Sequence, residues 1–212
     1  RTADREMPRG VISKRAGAVF VIFTSMTFMA VTFQLSWLCF ILSPLALSLV
    51  FWYSLAKRYT AFTQLFLGLA MAVAPIGGWL AAGGRVGLEP WLLGLAIGSW
   101  VAGFDVLYAC QDFDFDRKYG LRSIPARYGI QGALTISRSM HVVAVTALAS
   151  LALVVPLGVV YLSGVAFVGA LLAYEQSLVK ANDLSRIKQA FDLNGYVGFV
   201  YLLVTAVALY VD

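Results

Sequence analysis

Long apolar segments separated by short polar ones make up most of this chain. Seven of them, of about 18–24 residues each, are long enough to cross a bilayer as a helix. They cover residues 16–33, 36–55, 62–82, 91–109, 134–155, 157–178 and 193–211. None shows the apolar–polar alternation of a half-buried strand, and in lipid a helix satisfies its own backbone hydrogen bonds. The pattern predicts an all-α, polytopic membrane helix bundle with seven spans.

Composition supports a membrane protein. Of 212 residues, 60% are apolar and only 13% are charged, whereas a soluble domain of this size carries about 25% charged residues. We expect one transmembrane domain over residues 1–212. Cys39 and Cys110 both lie in apolar segments and are too few for a disulfide framework, so we expect two buried, unpaired cysteines.

The basic residues are distributed asymmetrically between the two ends of the predicted spans. If residues 1–15 face the cytoplasm, so do the connections 57–60, 111–133 and 179–192, and every Lys and Arg except Arg85 lies on that side. This arrangement obeys the positive-inside rule. It predicts a multi-pass protein of a bacterial or archaeal inner membrane with its active site on the cytoplasmic side. It also explains the net charge of +5 without a nucleic-acid partner.

An acidic motif, DVLYACQDFDFD, ends the fourth apolar segment at residues 105–116. On an α-helix Asp105, Asp112 and Asp116 share one narrow face, and Asp114 points the opposite way. Unpaired aspartate near the centre of a membrane helix costs about 2.5–3.5 kcal/mol, so we expect the three acids to bind a cation. Asp112 and Asp116 are spaced to share a hydrated Mg²⁺, and Asp105 would reach a second ion or a ligand through water.

Basic side chains near this motif suit a diphosphate, because Arg and Lys both bind phosphate oxygens. The candidates are Arg1, Arg5, Lys57, Arg58, Lys118 and Arg122. Tyr53 stands one helical turn before Lys57 and would point the same way. His141 is the only histidine, so zinc, haem and Ser–His–Asp sites are not supported, and we expect this side chain to be a packed or interfacial one.

The motif resembles D-x-x-Y-A-x-x-D-x-x-x-D, the second aspartate motif of the UbiA-type intramembrane aromatic prenyltransferases. The similarity continues through DRKYGLRSIPARYG. The opening RTADREMPRG resembles the segment after that family's first motif, and YSLAKRYT resembles the end of its fourth helix. The resemblance therefore extends over essentially the whole chain.

Membership in that family would imply a nine-helix bundle that condenses a polyprenyl diphosphate with an aromatic acceptor, using Mg²⁺. By position, Asp105, Asp112 and Asp116 would bind magnesium and diphosphate, with Tyr108 beside them. Tyr53 and Lys57 would contact the leaving group. Arg1 and Arg5 would clamp the diphosphate or the acceptor's carboxylate, and Lys118 and Arg122 would belong to the loop that caps the pocket.

The family's first aspartate motif, N-D-x-x-D-x-x-x-D, is absent. We therefore expect this chain to lack two upstream helices of a larger protein, and we would not expect it to turn over alone. The IPARYG segment most resembles 4-hydroxybenzoate-type enzymes of ubiquinone and menaquinone biosynthesis. Prenyl transfer of the haem, chlorophyll or tocopherol type remains an alternative within the family.

Two functions outside the family share features with this chain. A phosphatidyl-alcohol transferase also uses aspartates and magnesium, but its glycine- and arginine-rich spacing is missing here. A transporter places acids on its substrate path. Many transporters also have discontinuous helices at corresponding positions of two repeated halves, and no such pair is evident in this sequence.

Smaller patterns carry further expectations. Small residues recur every four positions at Ala70, Ala74, Gly78 and Ala82 and at Gly94, Gly98 and Ala102. Tight helix packing explains such rows best, with a smooth apolar channel for a lipid-like substrate as the alternative.

We expect Tyr174, Glu175 and Asn194 to be interfacial, with a role in acceptor choice as the alternative, and Trp100 is a candidate for shielding a cation.

Overall fold

The computed structural model describes residues 5–85 and 87–211, and this part of the chain contains helices and no strand. The helices are α1 (Lys14–Leu35), α2 (Trp37–Ala56), α3 (Thr63–Ala81), α4 (Glu89–Ala109), α5 (Phe113–Lys118), α6 (Ile124–Leu151), α7 (Val159–Ser177) and α8 (Ile187–Val211). A 3-10 turn, Cys110–Asp112, joins α4 to α5. Seven helical segments are long and apolar enough to cross a membrane, with α4 to α5 as one segment. The prediction of a seven-span all-α bundle is confirmed.

The chain forms two compact units, Arg1–Ser48 and Leu49–Asp212, each described here by itself. In the first unit, the Ser13 hydroxyl caps α1 by accepting a hydrogen bond from the Ala16 amide at 3.1 Å. The Phe33 ring packs edge-on against Phe40, with ring centroids 5.3 Å apart. The Ser13 cap therefore marks the start of α1, and the Phe33–Phe40 contact lies near its end.

Helix α4 is the central helix of the second unit and packs most extensively against α6 and α3. Its glycines make the approach to α3 close, because a Cβ on Gly98 would lie 3.0 Å from the Gly68 carbonyl oxygen. The tight packing predicted for Gly94 and Gly98 is confirmed. The residues that face them on α3 are Gly68, Ala72 and Ile76, whereas a Cβ on Gly78 would meet nothing within 4 Å.

Helix α6 begins ten residues before the apolar segment that predicted it. The Ser123 hydroxyl caps its first turn by accepting from the Ala126 amide at 3.3 Å, and Pro125 occupies that turn. A positive φ of 72° at Gly129 then kinks the helix. The hydropathy pattern missed this turn because Arg127 and Gln131 make it polar.

An apolar core joins the ends of four helices near the acidic motif. It contains Val106, Leu107, Cys110, Ile124, Ala133, Leu134, Leu178, Val179, Ile187 and Ala190, all buried. The core places the loops before α6 and α8 at the same end of the unit as the motif. Both cysteines are buried and unpaired, as predicted.

Candidate active site

The four motif aspartates differ in exposure. The Asp116 side chain is completely buried, Asp105 and Asp112 are half-buried, and Asp114 is exposed. The 3-10 turn Cys110–Asp112 interrupts the regular α-helix assumed for the motif, so the three-acid face is built from two helices and a turn. Asp114 still points away from the buried side, as the helical spacing predicted.

Lys57 lies between two of these acids. It follows the last residue of α2, and its Nζ is 2.7 Å from Asp116 Oδ1 and 3.7 Å from Asp112 Oδ2. The Lys57 and Asp112 side chains are 31% and 26% exposed, whereas that of Asp116 is 0% exposed. One ammonium ion therefore offsets the repulsion of two carboxylates at the boundary between protein interior and surface. We call Lys57, Asp112 and Asp116 the acid–lysine cluster.

Asp105 and Tyr53 lie next to this cluster. The charges of Lys57 and Asp112 both act on Asp105, and the charge of Asp105 acts on the Tyr53 hydroxyl. Both side chains are half-buried. The structure thus brings five predicted residues, from α2 and the position after it, α4, the 3-10 turn and α5, into one electrostatic neighbourhood.

Tyr108 belongs to a set of contacting aromatic side chains that we call the aromatic row, which consists of Trp100, Phe104, Tyr108 and Phe191. The sequence pointed to Tyr108 and Trp100 but not to the two phenylalanines. The Tyr108 ring packs against Phe191 of α8, with centroids 4.5 Å apart, and Phe104 packs edge-on against both Phe191 and Trp100. The Trp100 indole N–H donates to Asn194 Oδ1 at 2.7 Å. The spacing of Trp100, Phe104 and Tyr108, four residues apart, is the signal that places them on one face of α4.

The other predicted basic residues are more peripheral. Arg122 connects two loops, because its backbone amide donates to the Lys57 carbonyl at 3.0 Å and its Nη1 donates to the Tyr59 carbonyl at 2.7 Å. Arg58 and Lys118 are exposed, and Lys118 Nζ lies 5.7 Å from the centre of the Tyr119 ring.

The two N-terminal arginines stay predictions. Arg5 lies in the first unit, in the turn before α1, with an exposed side chain. Arg1 falls outside the described residues.

Two polar residues expected at the interface are buried instead. The Glu175 side chain is completely buried and lies beside Asn194, which is itself 8% exposed. Tyr174, the third residue of that group, is exposed. The expectation of an interfacial position was wrong for Glu175 and Asn194, because the α7–α8 contact encloses them.

Whether the acids suit a magnesium ion can be judged from their donor atoms. Asp116 Oδ2 is buried and accepts no hydrogen bond from the described residues, and carboxylate oxygens are the ligands that Mg²⁺ prefers. No group of three His, Cys, Asp or Glu side chains in the described chain is placed to hold one ion. The residues fit an ion held by one or two carboxylates with water and phosphate completing its shell, which is the usual coordination of Mg²⁺ beside substrate phosphates.

Residues 1–204 match the family model described as the UbiA prenyltransferase family. This range includes the acid–lysine cluster, the aromatic row and the first seven helices.

Curated relatives agree with this match. A 4-hydroxybenzoate octaprenyltransferase of Citrobacter koseri is 33% identical over 204 residues, which are 96% of this chain and 70% of that protein. The protein of the same name from Vibrio parahaemolyticus is 32% identical over 217 residues, covering 99% of this chain and 74% of that protein.

Two solved structures share the fold. A UbiA homologue from Aeropyrum pernix K1, in its apo form, is 33% identical and superposes with a TM-score of 0.88, covering 99% of this chain and 78% of the other. A digeranylgeranylglyceryl phosphate synthase is 19% identical with a TM-score of 0.75, covering 97% of this chain and 73% of the other. The second likeness concerns the fold alone.

Proposed function

The chain belongs to the UbiA prenyltransferase family, and from this premise we propose that it transfers a polyprenyl group from its diphosphate to an aromatic acceptor of the 4-hydroxybenzoate type in quinone biosynthesis. The acid–lysine cluster is the observation that carries the proposal. It brings together two carboxylates, a kind of group that suits a divalent cation, and an ammonium, a kind of group that suits a phosphate, at one end of a membrane helix bundle. The names of the curated relatives support the choice of acceptor.

The reaction needs negative charge to be stabilised as the carbon–oxygen bond to diphosphate breaks. Lys57 is the group best placed to bind the leaving diphosphate, because its Nζ lies beside the two acids and its side chain is 31% exposed. Asp112 and Asp116 hold the ammonium in position through their ion pairs. Preorganised charge of this kind is the largest catalytic term in many enzymes.

Asp112 and Asp116 are the residues that would hold a magnesium ion, with Asp105 deeper in the same neighbourhood. A magnesium ion bound there would supply positive charge that neutralises the diphosphate as it leaves. The support comes from the unsatisfied Asp116 Oδ2 and the partly exposed Asp112 carboxylate.

The aromatic row provides the surroundings that an allylic cation requires. Aromatic ring faces attract cations, and Tyr108, Phe104 and Phe191 present partly exposed rings beside the motif. We assign these rings to shielding the cation until the electron-rich carbon of the acceptor attacks it. Loss of the ring proton then restores aromaticity and needs only a weak base, so the reaction requires no histidine.

The proposal places the active site at the cytoplasmic surface of a bacterial or archaeal inner membrane. The excess of Lys and Arg at the end of the bundle that carries the motif supports this orientation.

A direct test uses the natural full-length protein in membranes. Farnesyl diphosphate and 4-hydroxybenzoate are supplied with Mg²⁺, and both diphosphate release and the prenylated ring are measured. We expect both products, and we expect their loss when EDTA removes the metal. Diphosphate release without any prenylated ring, with every benzoate tried, would contradict aromatic transfer, while transport without chemistry would favour the transporter alternative.

A further inference from the structure

A groove of about 440 Å³ lies between α6 and α7, and none of its lining residues belongs to the acid–lysine cluster. Its lining includes Arg138, His141 and Gln176 at one end, and Val145, Gly169 and Leu172 further along the same two helices. The polar residues lie toward the end of the bundle that carries the acidic motif, since Gln176 is next to the last residue of α7. The groove is therefore polar near the membrane surface and, apart from Thr146, apolar deeper in the bilayer, which is the profile of a lipid.

Gln176, one of the residues that line the groove, carries a buried acceptor without a partner among the described residues. The Ser137 hydroxyl donates to the Gly103 carbonyl at 2.7 Å, so it must accept the hydrogen bond that joins it to Gln176 Nε2, also 2.7 Å long. Gln176 Nε2 also lies 3.1 Å from His141 Nδ1. These contacts fix which end of the amide is nitrogen. The oxygen, Oε1, is buried and has no hydrogen-bond partner among the described residues.

Charge indicates the kind of head group that fits. Arg138 is the charged residue among those lining the groove, and its side chain is exposed. No acidic residue lies in the described lining. Arginine binds phosphate oxygens through its planar fork, and its long stem lets the charge reach the interface from a position inside the helix. An anionic phosphate is thus favoured over a zwitterionic head group.

We propose that this groove binds one phospholipid with an anionic, hydroxyl-bearing head group from the surrounding leaflet. Arg138 binds the phosphate, Gln176 Oε1 accepts a hydrogen bond from a head-group hydroxyl, and one acyl chain lies along Val145, Gly169 and Leu172. Gly169 keeps this path open, since a Cβ there would meet only Val145, at 3.5 Å. Phosphatidylglycerol has both the charge and the hydroxyls.

The experiment measures lipid retention on the natural full-length protein. The protein is delipidated in mild detergent and incubated with phosphatidylglycerol or phosphatidylcholine of the same acyl chains, and bound lipid is counted by native mass spectrometry. We expect one phosphatidylglycerol to be retained with about fivefold or greater preference, equivalent to about 1 kcal/mol. Arg138→Gln should abolish this preference, and Gly169→Leu should lower retention of both lipids.

Two controls separate the groove from general effects. Arg186→Gln removes a positive charge at the same end of the bundle but outside the groove, and it should retain phosphatidylglycerol like the wild type. Asp116→Asn should also retain it, so that failure of the lipid proposal and failure of the catalytic proposal are distinguishable. Arg138 is exposed, and its substitution should leave the fold intact.

Three results would overturn the proposal. One is equal retention of the two lipids by the wild type. Another is unchanged retention in both Arg138→Gln and Gly169→Leu. The third is displacement of the lipid by farnesyl diphosphate or by inorganic phosphate, which would assign the groove to substrate or to a free anion.

Discussion

Two of the polar clusters that the described residues form accommodate buried polar groups in different ways. The acid–lysine cluster is ionic, lies where α4 gives way to α5, and includes partly exposed side chains. The second cluster is neutral and links α4, α6 and α7 through the Gly103 carbonyl, Ser137, His141 and Gln176. The neutral cluster uses its hydrogen bonds between helices, which is the ordinary use of polar residues in membrane proteins.

The difference separates residues that hold the fold from residues placed for chemistry. Each cluster leaves a buried oxygen without a hydrogen-bond partner among the described residues, Gln176 Oε1 in the neutral cluster and Asp116 Oδ2 in the acid–lysine cluster. The acid–lysine cluster differs because it carries charge and because its ion-paired ammonium is partly exposed. Charge is expensive in a membrane protein and is kept mainly for function. Substitutions in the two clusters should therefore affect different measured quantities.

The largest effect is expected at the acids. Asp116→Asn and Asp112→Asn should each lower the rate of diphosphate release at least about 100-fold, because each removes a charge that organises the leaving-group site. Asp114→Asn, an exposed acid of the same motif, should stay within about threefold of wild type. The rates are measured in membranes with matched protein amounts. An equal loss of diphosphate release in all three variants would contradict the separate role given to Asp112 and Asp116.

Lys57 should affect both activity and stability. Lys57→Met leaves Asp116 buried without its ammonium partner, which should lower stability by about 1–3 kcal/mol given the partial exposure of the lysine. The double variant Lys57→Met/Asp116→Asn removes both charges of this ion pair and should regain most of that stability while remaining inactive. Thermal unfolding in detergent measures the change in stability, and diphosphate release measures the activity. The same unfolding temperature in the single and double variants would argue against the ion pair.

A substitution at Gly103, in the neutral cluster, should affect stability and leave the prenyl-transfer reaction unchanged. A Cβ on Gly103 would lie 2.6 Å from His141 Nε2, so Gly103→Ala must displace the ring and should destabilise the protein by about 1–3 kcal/mol. Gly78→Ala is the matched control, because a Cβ there would meet nothing within 4 Å. The folded fraction of Gly103→Ala should keep the wild-type turnover number. A lower turnover number at full folding would mean that this cluster takes part in the reaction.

The smallest effect is expected at Arg122. Arg122→Gln removes the hydrogen bond to the Tyr59 carbonyl at an exposed position, and loss of such a bond costs about 0.5–1.5 kcal/mol at most. We also expect a two- to fivefold rise in the KM for prenyl diphosphate, about 0.4–1 kcal/mol of binding. Steady-state kinetics across a range of prenyl diphosphate concentrations measures this KM. A changed turnover number with unchanged KM would count against a binding role.

The spans were predictable because one physical requirement dominates them. A helix that crosses a bilayer needs about 20 apolar residues, and that length is visible in the sequence. The early start of α6 was not visible, since its first turns are polar and are defined by the Ser123 cap and the kink at Gly129.

The site was predictable in its residues more than in its contacts. Helical spacing grouped Asp105, Asp112 and Asp116, and the structure keeps them on the buried side. The pairing of Lys57 with two of these acids joins residues that lie far apart in the sequence, and no local pattern encodes such a contact. The same reason explains why the burial of Glu175 and Asn194 was missed.

The central claim is that Asp112 and Asp116 bind a divalent cation together with the diphosphate of the prenyl substrate. The most direct measurement is calorimetric binding of a non-ionising analogue, farnesyl thiodiphosphate, to the natural full-length protein with and without Mg²⁺. The account predicts metal-dependent binding in the wild type and in Asp114→Asn, and its loss in Asp112→Asn and Asp116→Asn. Binding of equal strength in all four proteins, or binding that ignores the metal, would contradict it.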